Sequence, residues 1–165
     1  MSRAIFTAPN YRLSKLLKKP GGKSIAAAIE AAAENVSTLT VPCLEHVDEA
    51  LVEIDAHLRT FIEVEDKSAP AKALYDCVNA MIGLAGAVGL REVDRASFSL
   101  CDLLDRMMRT QRWEIEPIAV HVQSLHLLRQ PAIIESAASV RAVMTGLQKV
   151  HDKVLRDEIG LESKH

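Results

Sequence analysis

The residues best placed for chemistry stand in one stretch, Leu74-Tyr75-Asp76-Cys77-Val78-Asn79-Ala80-Met81-Ile82-Gly83-Leu84-Ala85-Gly86-Ala87-Val88-Gly89-Leu90. Asp76 and Asn79 are three apart, so on a helix an acid and an amide project from one face. Such a pair can hold a water for in-line attack on a phosphoryl group, a reaction that needs little beyond positioning. Three glycines interrupt the stretch, and each costs a helix up to about 1 kcal/mol relative to Ala. Gly89 reads as a helix end. Gly83 and Gly86 read as a bare strip of backbone on one helix face. Tyr75, Asn79 and Ile82 flank that strip, away from the Leu74, Val78, Met81 and Ala85 seam. A partner protein can approach closely there, although the same spacing also suits tight packing between helices.

The six histidines, His46, His57, His121, His126, His151 and His165, offer no metal pattern. His121 and His126 point about 140° apart on a helix, and His46 and His57 lie about 16 Å apart along one. The ExxH and HExxH spacings and the EF-hand loop are absent. No metal and no cofactor is expected. Gly21-Gly22-Lys23-Ser24 resembles the end of a phosphate-binding loop, but the leading glycine and the preceding strand are missing. The nucleophile elbow GxSxG and the dinucleotide-binding glycines are also absent.

The elements that carry these residues read as helices. Ser24 is placed to cap a helix over Ile25–Val36, which is rich in Ala. A break is expected at Ser37–Pro42. Leu44, Val47, Leu51, Ile54, Leu58 and Phe61 then recur with spacings of three and four, the seam of a helix over about five turns. Ser68 is expected to cap the next helix, with Pro70 in its first turn and its end near Gly89. Val93, Ala96, Leu100, Leu103, Leu104 and Met107 mark a helix from Glu92 to about Arg109. After a polar turn, Ile115, Ile118, Val122, Leu125 and Leu128 mark another. Gln130-Pro131 interrupts, and Ile134, Ala137, Val140, Met144, Leu147, Val150 and Val154 mark the last. No segment alternates with a period of two. The fold class is all-α: an antiparallel up-down four-helix bundle over about 43–129, with additional N-terminal and C-terminal helices, the latter over about 132–158.

The frame Asn79-Ala80-Met81-Ile82-Gly83-Leu84-Ala85-Gly86-Ala87-Val88-Gly89 resembles the motif of histidine phosphotransfer (HPt) domains, His-x-x-Lys-Gly-x-x-x-x-x-Gly. Both motif glycines match, at Gly83 and Gly89. Ser99-Leu100-Cys101-Asp102-Leu103-Leu104, Pro20-Gly21-Gly22 and Val120-His121-Val122-Gln123-Ser124-Leu125 are similar to a bacterial subgroup of that family. The resemblance implies a four-helix bundle that docks on the receiver domain of a response regulator. The phospho-accepting histidine aligns with Asn79 and the motif lysine with Ile82. An amide nitrogen is not the nucleophile that imidazole is, and Ile82 brings no charge to a phosphoryl group. The resemblance therefore implies a pseudo-phosphotransfer domain that keeps the docking surface (Tyr75, Asn79, Ile82, Gly83, Gly86) without the transfer chemistry.

Three functions follow. The first is a non-enzymatic adaptor in two-component or phosphorelay signalling, bound to a receiver domain or a histidine kinase. The second is a phosphatase acting on receiver phospho-aspartate through Asp76 and Asn79. The third is a helical module whose bundle face serves a homodimer or an unrelated partner. A displaced phospho-histidine at His57 or His121 is a further, lesser possibility.

Composition sets the bounds. The chain has 165 residues, 48 % apolar and 25 % charged, with net charge −2, so it can bury a core and is no polyelectrolyte seeking nucleic acid. Aromatics are 4 %, few for a base-stacking surface. Cys43, Cys77 and Cys101 are odd in number and unpaired in spacing, which points to buried thiols and a reducing setting. No apolar run reaches the ~18–20 residues that span a bilayer, and no signal-peptide pattern stands at the amino-terminus. A cytoplasmic protein is expected. Residues 1–23 form a basic arm with Arg3, Arg12, Lys15, Lys18, Lys19 and Lys23 and no acid. It is read as packing on the single domain 24–165, or as a tether for an acidic partner or surface.

Overall fold

The computed structural model describes residues 24–162, all-α apart from short connections. The basic arm and His165 lie outside the described residues. The helices are α1 (Ile25–Glu63), α2 (Ser68–Met81), α3 (Leu84–Ala87), α4 (Arg91–Thr110), α5 (Ile115–Arg129), α6 (Pro131–Ile134) and α7 (Ala137–Glu162). The chain divides into two units between Leu39 and Thr40. In the first, Ser24 Oγ accepts from the Ala27 amide at 3.1 Å, the expected N-cap.

The expected break at Ser37–Pro42 does not occur. Pro42 stands inside α1, so among the described residues the expected helix over Ile25–Val36 and the helix from Leu44 are one. Pro42 removes one helical donor, but the hydroxyls nearby do not compete for the backbone. Ser37 Oγ donates to the Glu34 carbonyl at 2.7 Å and Thr38 Oγ1 to the Asn35 carbonyl at 2.8 Å, both within the helix.

The second unit holds the core. Val47, Leu51, Ile54 and Phe61 of α1 are buried with Leu74, Val78 and Met81 of α2. Leu100, Leu103, Leu104 and Met107 of α4 and Ile118, Val122, Leu125 and Leu128 of α5 complete it. Leu44 and Leu58 pack half-buried against this set. Polar pins fix the helices around it. Arg129 of α5 forks onto Asp48 of α1 at 2.7 and 2.9 Å, and His126 lies 3.0 Å from Asp55. Phe61 meets Trp113 edge-on at 5.9 Å. Lys67 Nζ donates to the Phe61 and Ile62 carbonyls at 2.6 and 3.0 Å, which closes the end of α1.

Three further boundaries differ from the sequence reading. Ser68 is the first residue of α2 rather than its cap, and Asp66 accepts its amide at 3.0 Å. The last helix starts at Ala137 after a short turn, α6, that contains Ile134. Ser136 caps it, accepting the Ser139 amide at 3.2 Å. The third difference concerns α2. It ends at Met81, with Ile82 extended and Gly83 at φ +85°, well before Gly89.

Gly83 takes a left-handed backbone, where an added Cβ would meet no atom within 4 Å. The cost of a side chain there is purely conformational. Gly83→Ala is expected to lower unfolding free energy by ~1–2 kcal/mol. Gly146 lies inside α7 with open space around it, so Gly146→Ala is expected to add ~0.5–1 kcal/mol. Urea denaturation of the two variants checks both signs.

Candidate functional site

The site is built on the facing flanks of α2 and α4. Cys101 Sγ of α4 lies 3.9 Å from the Tyr75 carbonyl of α2. Toward the end of α2, Asp94 Oδ1 accepts the Gly83 amide at 2.5 Å. The two contacts run in opposite chain directions, so the helices are antiparallel and Asn79 stands level with Ser97 and Phe98. Ser97 is buried and spends its hydroxyl on the Val93 carbonyl at 2.9 Å. Phe98 turns outward and is 67 % exposed.

Asn79, Asp76 and Gly83 are exposed, and Tyr75, Ile82 and Gly86 are half-buried. Asn79 therefore presents its amide to solvent in the last turn of α2, where a docking or water-positioning role needs it. Asp76 is exposed on the same face, and Lys72 Nζ lies 2.5 Å from each of its oxygens. Lys72 also stands 6.0 Å from the centre of the Tyr75 ring. The acid of the expected acid–amide pair is thus neutralised by a lysine one turn earlier.

The bare strip of Gly83 and Gly86 is not present. The two glycines do not share a helix, because the chain breaks at Ile82–Gly83 and restarts as α3. A Cβ on Gly86 would lie 3.4 Å from the Asp94 carboxylate. Gly86 makes room for the acid that caps Gly83, so it is part of the turn and not an open landing strip. Phe98 and Asp94 were not legible as site residues. Phe98 falls outside the Val93, Ala96, Leu100 register, and that was the only signal. Asp94 is eleven residues from the amide it accepts.

No protein-family model, curated protein or solved structure matches this chain. The site therefore rests on its own chemistry.

His121, His126 and His151 are engaged elsewhere, and His57 stands half-buried on α1. His121 is fully buried. Its Nδ1 lies 2.7 Å from the Pro117 carbonyl, which only accepts, so Nδ1 carries the proton. Nε2 then accepts from Ser99 Oγ at 3.1 Å. With no exposed nitrogen, His121 is closed to a phosphoryl donor. Burial holds its pKa below the ordinary imidazole value, against the Pro117 hydrogen bond and with the charge of His151. His151 Nε2 reaches Asp102 Oδ2 at 2.7 Å and ties α7 to α4. Burial alone raises the Asp102 carboxyl, but hydrogen bonds from His151 and Arg106 outweigh it and leave it below the usual range. Burial pushes the Cys77 and Cys101 thiols up to about 11 and about 12, so both stay protonated and unreactive. Among the described residues no three His, Cys, Asp or Glu side chains converge on a metal position. No helix among them is long and apolar enough to cross a membrane.

The His121 shift gives a pH dependence with a definite sign. The unfolded imidazole gains a proton near pH 6.5, while the buried one resists it. The unfolded state binds more protons as pH falls below that value, so stability is full above it and declines below. Asp102 acts with the same sign lower down, below about pH 3.9. The urea midpoint of the native chain is expected to fall between about pH 7 and about pH 5.5. In His121→Gln that fall should flatten. An unchanged slope in the variant would assign the effect to another group.

Proposed function

We propose that the chain is a pseudo-phosphotransfer module: an antiparallel four-helix bundle of HPt type that binds a receiver domain or a histidine kinase without carrying phosphate. The observation that supports this reading best is local. Among the described residues the glycines with positive φ are Gly83 and Gly89, at φ +85° and +88°, and these are the two motif glycines. Glycine is the residue that takes such a backbone at least cost, and Gly83 stands one turn after an exposed residue at the histidine position. That residue is Asn79. Its amide does not act as a phosphoryl acceptor, and Ile82 in place of lysine adds to an apolar patch.

An apolar patch with a polar rim suits a transient signalling contact. Here the patch is Phe98, Tyr75 and Ile82, and the rim is Lys72, Asp76 and Asn79. Phe98 is the anchor that the geometry favours, since a large exposed ring gains most on burial.

The phosphatase reading keeps one supporting observation, the shared exposed face of Asp76 and Asn79. In the structure the Asp76 carboxylate is turned to Lys72 in an ion pair one turn earlier on the same helix.

One assay separates the readings. Phosphorylated receiver domains encoded beside this chain are incubated with it, and the phosphoryl group is followed on a gel. The adaptor reading expects no label on this chain, an unchanged receiver lifetime and saturable binding. Phe98→Ala should weaken that binding by roughly tenfold or more, with an unaltered melting temperature because the ring is exposed. Label on this chain would overturn the proposal. Faster receiver dephosphorylation that is lost in Asn79→Ala would replace it with the phosphatase.

A further inference from the structure

The first turns of α1 present an apolar stripe. Ile25, Ile29, Val36 and Leu39 are 82 %, 65 %, 55 % and 57 % exposed, and Ala32 among them is exposed too. The steps from Ile25 through Ile29, Ala32 and Val36 to Leu39 alternate between four and three residues. On a helix these five fall within an arc of about 80°. They occupy the a and d positions of successive heptads, the spacing of a coiled-coil seam. Further along α1, Val47, Leu51, Ile54, Leu58 and Phe61 follow the same steps and pack in the bundle core. Between Ile25 and Leu39 the same kind of seam is bare, and an exposed apolar stripe of this extent marks an interaction surface.

The residues around the stripe restrict what covers it. Ala26, Ala28, Ala33 and Asn35 stand beside the seam. They are small and uncharged, so a second helix can come close and meets no charge at the flanks where coiled coils select charged partners. The charged residues from Ile25 to Leu39 are Glu30 and Glu34, and each lies about 100° or more from every stripe residue. Two identical stripes can therefore meet with their acids turned away from each other into water. A membrane surface is a poor match, because a helix that lies on one carries Lys and Arg on its polar face. This stretch has neither.

We propose that two copies of the chain associate through this stripe, seam against seam, as a short two-stranded coiled coil. The contact is isologous, so the same five residues serve both copies. Ile25–Leu39 belongs to one helix of 39 residues. The face is therefore formed before the copies meet, and little ordering entropy opposes the contact. Four large side chains from each copy withdraw on the order of 500 Å² of apolar surface from water, and the alanine-lined flanks add to it. That is the small end of interface sizes, so association is weak and concentration-dependent. It does not rest on the receiver-binding reading.

The test is the mass of the full chain by light scattering, from dilute solution to the highest soluble concentration. The native chain is expected to rise from monomer mass towards twice that value. Ile29→Glu/Leu39→Glu changes only exposed side chains of the stripe and should stay monomeric. Ile29→Ala/Leu39→Ala, which favours the helix, should weaken association by at least tenfold. Circular dichroism at a dilution where the native chain is monomeric checks that both variants keep their helices. Glu34→Lys, on the opposite face, should associate as the native chain does. A mixture of the native chain with the Glu variant, one of them tagged, should form no mixed dimer, because the variant has no seam to offer. A mixed dimer would mean that the stripe seats on a different surface, such as the α4/α7 groove lined by Arg95, Phe98 and Met144, and would overturn the proposal. A native chain that is monomeric throughout would also overturn it, as would self-association of the Glu variant or loss of association in Glu34→Lys.

Discussion

The site depends on one capped turn. Asp94 accepts the amide of Gly83, and Gly83 takes a backbone conformation that other residues enter at a cost. This stops α2 at Met81, so Asn79 stands in a final turn with its side chain in water. It also fixes the start of α4 beside the end of α2, because Asp94 lies in the first turn of α4. The same carboxylate sits at the positive end of that helix, where a negative charge is favoured. One side chain thus ends one helix, steadies the next and sets their mutual register. Gly86 allows this by leaving the Asp94 carboxylate its space. The three glycines of the segment therefore share one task, a reversal of the chain between two antiparallel helices.

Much of the fold was legible in the sequence, and the misses share a cause. The seams through Val47, Leu51, Ile54 and Phe61, and through Leu100, Leu104 and Met107, follow the helical period and are buried as expected. The period is set by the core, and the core dominates the energy. The errors fall where backbone hydrogen bonding decides. Ser37, Thr38 and Pro42 look like a break, yet the hydroxyls bond back within α1 and the helix continues. Gly83 and Gly86 look like a strip on one helix, yet the chain turns between them. A glycine in the left-handed region and a glycine in a close contact have the same one-letter code. Only the placement of Asp94, remote in sequence, tells them apart.

The exposed position of Asn79 required no cavity or buried charge to explain it. The groups with displaced pKa values lie elsewhere, among them His121, Cys77 and Cys101, and desolvation is the first cause for each of these three. That pattern differs from a catalytic centre, where perturbed groups converge on a substrate. Here the perturbed groups are scattered through the packing, with His121 and Cys101 buried and Cys77 half-buried. The surface around Asn79 carries an exposed aromatic ring and the Lys72–Asp76 ion pair.

Helix α4 presents two different flanks. One flank packs on α2 and carries Asp94 and Cys101, and the other faces α7 and carries Arg95, Ser99 and Asp102. Phe98 stands between the flanks. It is level with Asn79 on one side and lines the α4/α7 groove on the other. A partner that buries Phe98 from either side therefore removes most of the exposed apolar area of this part of α4.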